Sequence, residues 1–201
     1  MRMVTFIRNG VERIGIFTEE DLVIDLTEGH SLVLLSEGNN LERAEEISQK
    51  TFMDMKSFLS KSETLIPLAK TIVSYVKETK RATYSLNEVK LITPIPNPGK
   101  IIVMGSAYRT TENLATHGLK PLTALVGPDD PIIISKNHKQ VAYENELGVV
   151  IGKRCKNLSM EDEDWSYIGG YTIYNDVTDI GFQRDAYELD EEGEVKRNEK
   201  D

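Results

Sequence analysis

Two glutamates separated by one residue begin an apolar run within residues 140–153, which read QVAYENELGVVIGK. The residues after Glu146 are mostly strand formers and Gly152 ends them, so the segment is typical of a β-strand that looks buried. Because strand side chains alternate between two faces, Glu144 and Glu146 would point the same way, about 6.5 to 7 Å apart along the backbone. From these two residues alone, a solvated strand face and a metal site both remain open.

A third carboxylate follows a second strand-like run. Asp176 ends the segment GGYTIYND, thirty residues after Glu146. A carboxylate at the end of one strand can converge with a pair on a neighbouring strand, and three oxygen ligands leave coordination positions open for water or substrate. Such a donor set suits the hard divalent cations Mg²⁺, Mn²⁺ and Ca²⁺. We therefore predict a divalent-metal site made by Glu144, Glu146 and Asp176.

The composition is that of an ordinary soluble globular protein, with 39% hydrophobic and 28% charged residues in a chain of 201. The net charge of −9 argues against a nucleic-acid backbone or an anionic membrane as the main partner. The single cysteine excludes a disulfide framework and favours a reducing compartment. No apolar stretch approaches the ~20 residues of a membrane span, and no signal-peptide pattern is present. We expect a cytoplasmic protein.

Strand and helix signals predict a small domain at residues 1–86. Asn9-Gly10 stands between two strand-like runs, which is a strong hairpin signal. The stretch near residue 70 repeats apolar residues at helical spacing, which indicates an amphipathic helix. The predicted elements of this domain are strands at 2–7, 11–17 and 22–26 and helices at 40–50 and 63–79.

A proline-rich connector is predicted at residues 87–100, because Pro94, Pro96 and Pro98 favour a stiff, extended chain. Residues 101–201 have a different texture, with short apolar runs between turn residues, and predict a β-rich second domain. Residues 188–201 carry many charges and little to bury, so we expect a solvated or disordered tail. The predicted elements are strands at 101–104, 132–134, 147–151 and 171–174 and one helix at about 160–168.

The order of four segments resembles the fumarylacetoacetate hydrolase family: PGKIIVMGSAY, KPLTALVGPDDPIII, YENELGVVIGK and GGYTIYNDVT. The resemblance implies an α+β fold, with a small N-terminal α/β domain followed by a β-rich, mixed β-sandwich roll of the fumarylacetoacetate hydrolase type, incomplete in this chain. In that family the E-x-E pair and the later aspartate hold a divalent metal, usually Mg²⁺. The matching positions are Glu144, Glu146 and Asp176.

The family acts mostly on 2-oxo acids and 1,3-dicarbonyl compounds. The resemblance implies hydrolysis of a C–C bond in an acylpyruvate-like substrate, or a related decarboxylation, isomerisation or dehydration, through a metal-stabilised enolate. It also implies a homodimer. Four positions match residues that contact substrate in the family, although each could equally be an ordinary loop or surface residue: Tyr108, Lys120, Gln183 and Tyr187.

Two departures from the family pattern leave the chemistry open. Thr111 stands where active hydrolases of the family usually carry a water-activating histidine. His117 is then the remaining candidate base, with Glu112 to orient it, unless His117 is a loop histidine without a role. The chain also ends in a charged run, where family members continue with further strands. The alternative function is therefore a catalytically impaired member that binds a metal or a small acid, or serves as an assembly subunit.

Overall fold

The computed structural model describes residues 1–105, 116–138, 140–159, 165–181, 187–189 and 195–197. Contacts divide the chain into two compact units, Met1–Asp130 and Pro131–Asp201. The boundary predicted at residues 87–100 stays a prediction. No helix within the described residues is long and apolar enough to cross a membrane.

Within the described residues, the first unit contains four α-helices, a short 3-10 helix at Leu122–Ala124 and a five-stranded sheet. The strands are β1 (Arg2–Arg8), β2 (Val11–Phe17), β3 (Leu22–Asp25), β4 (Thr83–Ser85), β5 (Lys90–Ile92), β6 (Ile101–Gly105) and β7 (Thr116–Lys120). The five-stranded sheet is antiparallel, with strand order β4-β3-β2-β1-β5. A separate two-stranded sheet pairs β6 with β7. The helices are α1 (Leu26–Ser36), α2 (Leu41–Thr51), α3 (Met55–Ser60) and α4 (Ser62–Thr79).

The predicted hairpin at the N-terminus is confirmed. Arg8 pairs with Val11 across a two-residue turn. Asn9 and Gly10 both have positive φ angles, 51° and 75°. A two-residue turn with positive φ at both positions matches the right-handed twist of the strands it joins, and Asn-Gly adopts that geometry at low cost.

The hydrophobic core of the described residues lies in the first unit. Phe6 and Ile24 from the sheet, and Leu26, Phe58 and Ile72 from the helices, are at most 1% exposed. The apolar periodicity near residue 70 correctly predicted which face of α4 is buried. The buried residues on that face are Leu65, Ala69, Ile72 and Val76.

The second unit is built on one antiparallel ladder. Its strands are β8 (Val141–Ala142), β9 (Asn145–Ile151), β10 (Ile168–Asn175) and β11 (Thr178–Asp179), followed by a short pair, β12 (Tyr187–Leu189) and β13 (Val195–Arg197). The register is constant from Val141↔Asp179 to Val150↔Gly170, so β8–β11 and β9–β10 form one continuous pairing. The backbone N–H of Asp176 donates to the carbonyl of Glu144 at 2.8 Å, in the gap between the two strand pairs.

The strand at 145–151 was expected to be buried, and this expectation is wrong for one of its faces. Leu147, Val149 and Ile151 are 60%, 49% and 58% exposed, and Ile173 on the paired strand is 89% exposed. Among the described residues of this unit, Asp176 alone is buried. The reason is that a two-stranded ladder has two faces, and within the described residues the apolar face lacks a covering layer.

Three further predictions for this half are corrected. The helix at about 160–168 is wrong where it can be compared, because Ser166 and Tyr167 form a turn and β10 begins at Ile168; residues 160–164 lie outside the described residues. Residues 132–134 follow Pro131 without forming a strand. The tail was expected to be solvated or disordered, and the pairing of β12 with β13 argues against disorder in these two segments and leaves a solvated tail as the prediction. Strand formers recur at alternate positions there, as in Tyr187 and Leu189.

Candidate metal centre

The ladder register brings the three predicted carboxylates to one place. Glu144 lies immediately before β9, Glu146 is the second residue of that strand, and Asp176 follows the last residue of β10. Tyr174 pairs with Glu146, and the next position in the same register sets Asp176 opposite Glu144. Residues directly opposite each other in an antiparallel pair share a face, as do residues two apart on one strand. Glu144, Glu146 and Asp176 therefore project from the same face.

The geometry of the three carboxylates fits a divalent cation. One oxygen atom from each of Glu144, Glu146 and Asp176 can be chosen so that all three lie within 4.8 Å of one another. A cation that binds oxygen at about 2.0–2.6 Å can reach three atoms so placed with little or no movement of the side chains. The donor set contains only carboxylate oxygens, which favours Mg²⁺, Mn²⁺ or Ca²⁺ over softer metals.

Burial makes the charge of this cluster costly without a cation. Asp176 is only 7% exposed, Glu146 is half-buried and Glu144 is exposed. Three negative charges at such short separations repel one another, and the buried one also loses hydration. A bound divalent cation would offset both terms. The cluster is therefore suited to cation binding in a way that three solvated carboxylates would not be.

Local hydrogen bonds fix the backbone that carries the ligands. The side-chain oxygen of Asn175 accepts from the N–H of Glu144 at 3.2 Å. The hydroxyl of Thr178 donates to the carbonyl of Asp176 at 3.2 Å. Together with the Asp176–Glu144 backbone bond, these contacts hold both strand ends where their carboxylates meet.

The structure places the other predicted site residues only in part. His117 is exposed on β7, opposite Met104, and Lys120 is half-buried at the end of the same strand. Both belong to the first unit, whereas the carboxylate cluster belongs to the second. Tyr187 begins β12. Three predicted residues lie outside the described residues: Tyr108, Glu112 and Gln183.

Sequence reasoning missed one paired titratable group. His138 Nδ1 lies 3.0 Å from a carboxylate oxygen of Asp179, whose other oxygen accepts from the N–H of Gln140 at 3.2 Å. Forty-one residues separate the pair, and no short motif links them. Asp179 is three positions after Asp176, so strand alternation sets it on the opposite face of the ladder. We interpret this pair as a tie that holds the turn before β8 against β11.

Comparison with known proteins agrees with this fold and this cluster. Residues 97–199 match the family model described as "Fumarylacetoacetate (FAA) hydrolase C-terminal". The matched segment is just over half of the chain and contains all three carboxylates. The chain belongs to the fumarylacetoacetate hydrolase family, as its sequence motifs predicted.

Individual relatives show what the family includes. The chain is 35% identical over 133 residues to the fumarylacetoacetate hydrolase domain-containing protein 2 homolog of Dictyostelium discoideum, covering 62% of this chain and 42% of the relative. It is 30% identical over 152 residues to the mitochondrial oxaloacetate tautomerase of Xenopus laevis, covering 72% of this chain and 46% of the relative. The chain thus spans less than half the length of these curated relatives.

A solved structure confirms the predicted fold class. The maleylpyruvate hydrolase from Sphingobium sp. SYK-6, in complex with manganese(II) ion and pyruvate, superposes with a TM-score of 0.63 at 26% identity. The superposition covers 90% of this chain and 60% of the hydrolase. The predicted α+β architecture is therefore the architecture of a known member of the family.

Proposed function

We propose that the protein is a divalent-metal-dependent enzyme that acts on a 2-oxo acid or an acylpyruvate-like 1,3-diketo acid by way of an enolate. The observation that carries the proposal is the convergence of carboxylate oxygens from Glu144, Glu146 and Asp176 within 4.8 Å. Two comparisons support it. The related hydrolase structure contains manganese(II) and pyruvate, and a second relative is an oxaloacetate tautomerase.

Glu144, Glu146 and Asp176 would hold the cation, and the three differ in burial. A bound divalent cation would supply Lewis acidity that polarises the substrate's 2-oxo group and favours its enolate. Asp176 is buried at the strand end, Glu146 is half-buried and Glu144 is exposed to solvent, and all three would be ligands of the ion. We propose Mg²⁺ as the physiological ion, with Mn²⁺ as the alternative. Three carboxylates and one divalent ion leave a net charge of −1, so an anionic substrate also needs a cationic contact, for which we propose Lys120.

Proton transfer completes the proposed chemistry. A base removes a proton from C3, and the C–H electron pair becomes the C2–C3 double bond of the enolate. We propose His117 as the base, oriented by Glu112, because imidazole is the side chain most suited to proton transfer at neutral pH. Returning the proton to oxygen gives the enol, which is tautomerisation. In C–C hydrolysis the base would instead take a proton from the water that adds to the distal carbonyl. The bond between that carbonyl carbon and C3 then breaks, its electron pair forms the enolate of the smaller 2-oxo acid, and the proton is returned to C3.

The proposed function also extends to the remaining contacts. Tyr108, Gln183 and Tyr187 are proposed to contact the substrate, as the family resemblance implies. We propose that the active assembly is a homodimer. Size-exclusion chromatography with light scattering would measure the mass of the assembly directly.

Enolisation can be tested without knowing the natural substrate. The C3 protons of pyruvate should exchange with D₂O in the presence of protein and Mg²⁺, and the loss of the methyl NMR signal measures the rate. EDTA or Glu146→Gln should abolish the protein-dependent exchange. Glu12→Gln serves as the matched control, since Glu12 is an exposed glutamate on β2 of the first unit. Exchange that continues at the same rate in EDTA would contradict the proposal.

A second candidate function follows from Thr111, which occupies the position of the family's water-activating histidine. On this alternative, the protein binds a metal and a small acid, or serves as an assembly subunit, without catalysis. The same NMR experiment separates the two candidates. Metal-dependent broadening of the pyruvate signal without any C3 exchange would favour the alternative.

A further inference from the structure

The face of the ladder that carries the carboxylates continues past them with an aromatic residue. Tyr174 pairs with Glu146, and Thr172 pairs with Gly148, one alternate position further along. A Cβ atom on Gly148 would lie 2.8 Å from Cγ2 of Thr172 and 3.6 Å from Cβ of Tyr174. The side chains of Thr172 and Tyr174 therefore leave the sheet on the face that Gly148 shares with Glu146.

Burial supports the same assignment of faces. Tyr174 and Thr172 are half-buried, as are Glu146 and Gly148 on the paired strand. Their neighbours along the two strands, Leu147, Tyr171 and Ile173, are exposed on the other face. Tyr174 is thus a neighbour of the carboxylates across the strand pair and also stands two positions from Asp176.

The length of the tyrosine side chain decides where its hydroxyl lies. Strand side chains stand roughly perpendicular to the sheet, and directly opposite Cα atoms are about 4.5–5.5 Å apart. A tyrosine is longer than a glutamate or an aspartate, so its phenol oxygen extends beyond the level of the carboxylates. That is the side from which a cation held by the carboxylates would accept its remaining ligands.

We propose that Tyr174 is a substrate-contacting residue, whose hydroxyl donates a hydrogen bond to an oxygen atom of the bound 2-oxo acid. The inference rests on the proposed function, because it needs a cation and an oxo acid at this site. The competing interpretation is that Tyr174 only fills space beside the strands. A tyrosine hydroxyl is suited to the first role, since its donor is neutral and needs no change of charge at neutral pH.

The test compares two tyrosines on the same strand. Tyr174→Phe removes the hydroxyl and keeps the ring, and Tyr171→Phe makes the same change on the opposite, exposed face. Each 201-residue protein is loaded with Mn²⁺ and titrated with pyruvate, and paramagnetic broadening of the methyl NMR signal gives the pyruvate Kd. Tyr174→Phe should raise that Kd by about tenfold, the effect of one hydrogen bond to a charged ligand. The Mn²⁺ affinity should stay unchanged, and Tyr171→Phe should alter neither value.

Each other outcome has a definite meaning. If Tyr174→Phe binds pyruvate as tightly as the parent does, this inference is overturned and the proposed function stands. If Tyr174→Phe weakens Mn²⁺ binding as much as pyruvate binding, Tyr174 stabilises the strands that carry the carboxylates. The inference is then likewise overturned. If the parent protein binds no Mn²⁺, or binds Mn²⁺ but no pyruvate, the proposed function fails and this inference fails with it.

Discussion

Asp176 is the most buried of the three clustered carboxylates. Its backbone N–H is tied to the carbonyl of Glu144 at 2.8 Å. Its position therefore follows from the ladder register and leaves little freedom to move away from Glu144. In water, three separate carboxylates would spread apart, whereas here the backbone pairing holds them together. The cost of that repulsion is what cation binding would relieve.

His117→Ala tests the proposed base. If His117 accepts the C3 proton, its removal should lower turnover by on the order of 10²–10⁴ while the metal affinity stays nearly unchanged. Turnover of an acylpyruvate with saturating Mg²⁺ measures the first quantity, and Mn²⁺ titration measures the second. Equal turnover of variant and parent would rule out His117 as the base.

A second histidine should make the first unit sensitive to pH. His30 is buried, with Nδ1 3.1 Å from the Ser48 hydroxyl and the edge of its ring against Phe52. Burial lowers its pKa below 6.5, although Glu37 opposes the shift. At mildly acidic pH, His30 is protonated in the unfolded chain and still neutral in the folded chain. The free energy of unfolding should therefore fall as the pH drops below about 6.5, and it should stop falling below the pKa of His30 in the folded state.

The size of this effect is bounded by one proton. The free energy of unfolding should change by no more than about 1.4 kcal/mol per pH unit through His30. Urea titrations between neutral and mildly acidic pH measure it, and His30→Gln should flatten the curve in that window. A variant whose curve keeps the parent's slope would show that other groups cause the dependence.

The ladder of β8 to β11 positions the candidate site. At Gly148 the paired strand leaves little room for a side chain. Gly148→Ala would set a Cβ 2.8 Å from Cγ2 of Thr172, closer than a normal contact. We expect it to lower the thermal midpoint by several degrees, through overpacking that typically costs about 1–3 kcal/mol, and to weaken Mn²⁺ binding. Gly170→Ala is the matched control, since nothing lies within 4 Å of its added Cβ. Equal effects of the two substitutions would contradict this account.

The elements that the sequence predicts well are those with local signals. Asn9-Gly10 specifies its own turn, and the apolar spacing of α4 specifies its buried face, because both depend on neighbours in the chain. Strand alternation, together with the family-like spacing to Asp176, predicted the carboxylate convergence. The helix expected near residue 165 was wrong, because the chain from Ile168 pairs with β9 as a strand, and that pairing depends on residues distant in the sequence. The His138–Asp179 pair depends on the register of β8 and β11, which no local pattern encodes.

The hydrophobic core of the described residues belongs to the first of the two units of the molecule. Its largest buried side chains come from residues 5–76, and β5 completes the sheet at Lys90–Ile92. The hydroxyl of Thr5 donates to the carbonyl of Pro94 at 2.6 Å, which ties the proline segment to β1. The exposure of the strand face near residue 147 could not be predicted from its apolar sequence alone, because burial also requires a layer to pack against.

Residues 1–96 should therefore fold on their own. The fragment keeps the sheet, the helices and the Thr5–Pro94 bond, so we expect cooperative thermal unfolding followed by circular dichroism. A fragment of residues 1–86 lacks β5 and should unfold at a lower temperature. If residues 1–96 show no cooperative transition, the first unit depends on the rest of the chain and the division is wrong.

A titration of the protein with Mn²⁺, followed by the electron paramagnetic resonance signal of the free ion, tests the metal centre most directly. We expect one Mn²⁺ per chain, displaced by Mg²⁺. Asp176→Asn should bind Mn²⁺ at least about tenfold more weakly, since a direct ligand matters at least as much as its supporting residues. Asp179→Asn is the control, because that carboxylate lies three positions away on the opposite face of the same ladder and should leave the affinity unchanged. If the parent binds no Mn²⁺, or if Asp176→Asn binds Mn²⁺ as tightly as the parent, Glu144, Glu146 and Asp176 do not form a metal centre.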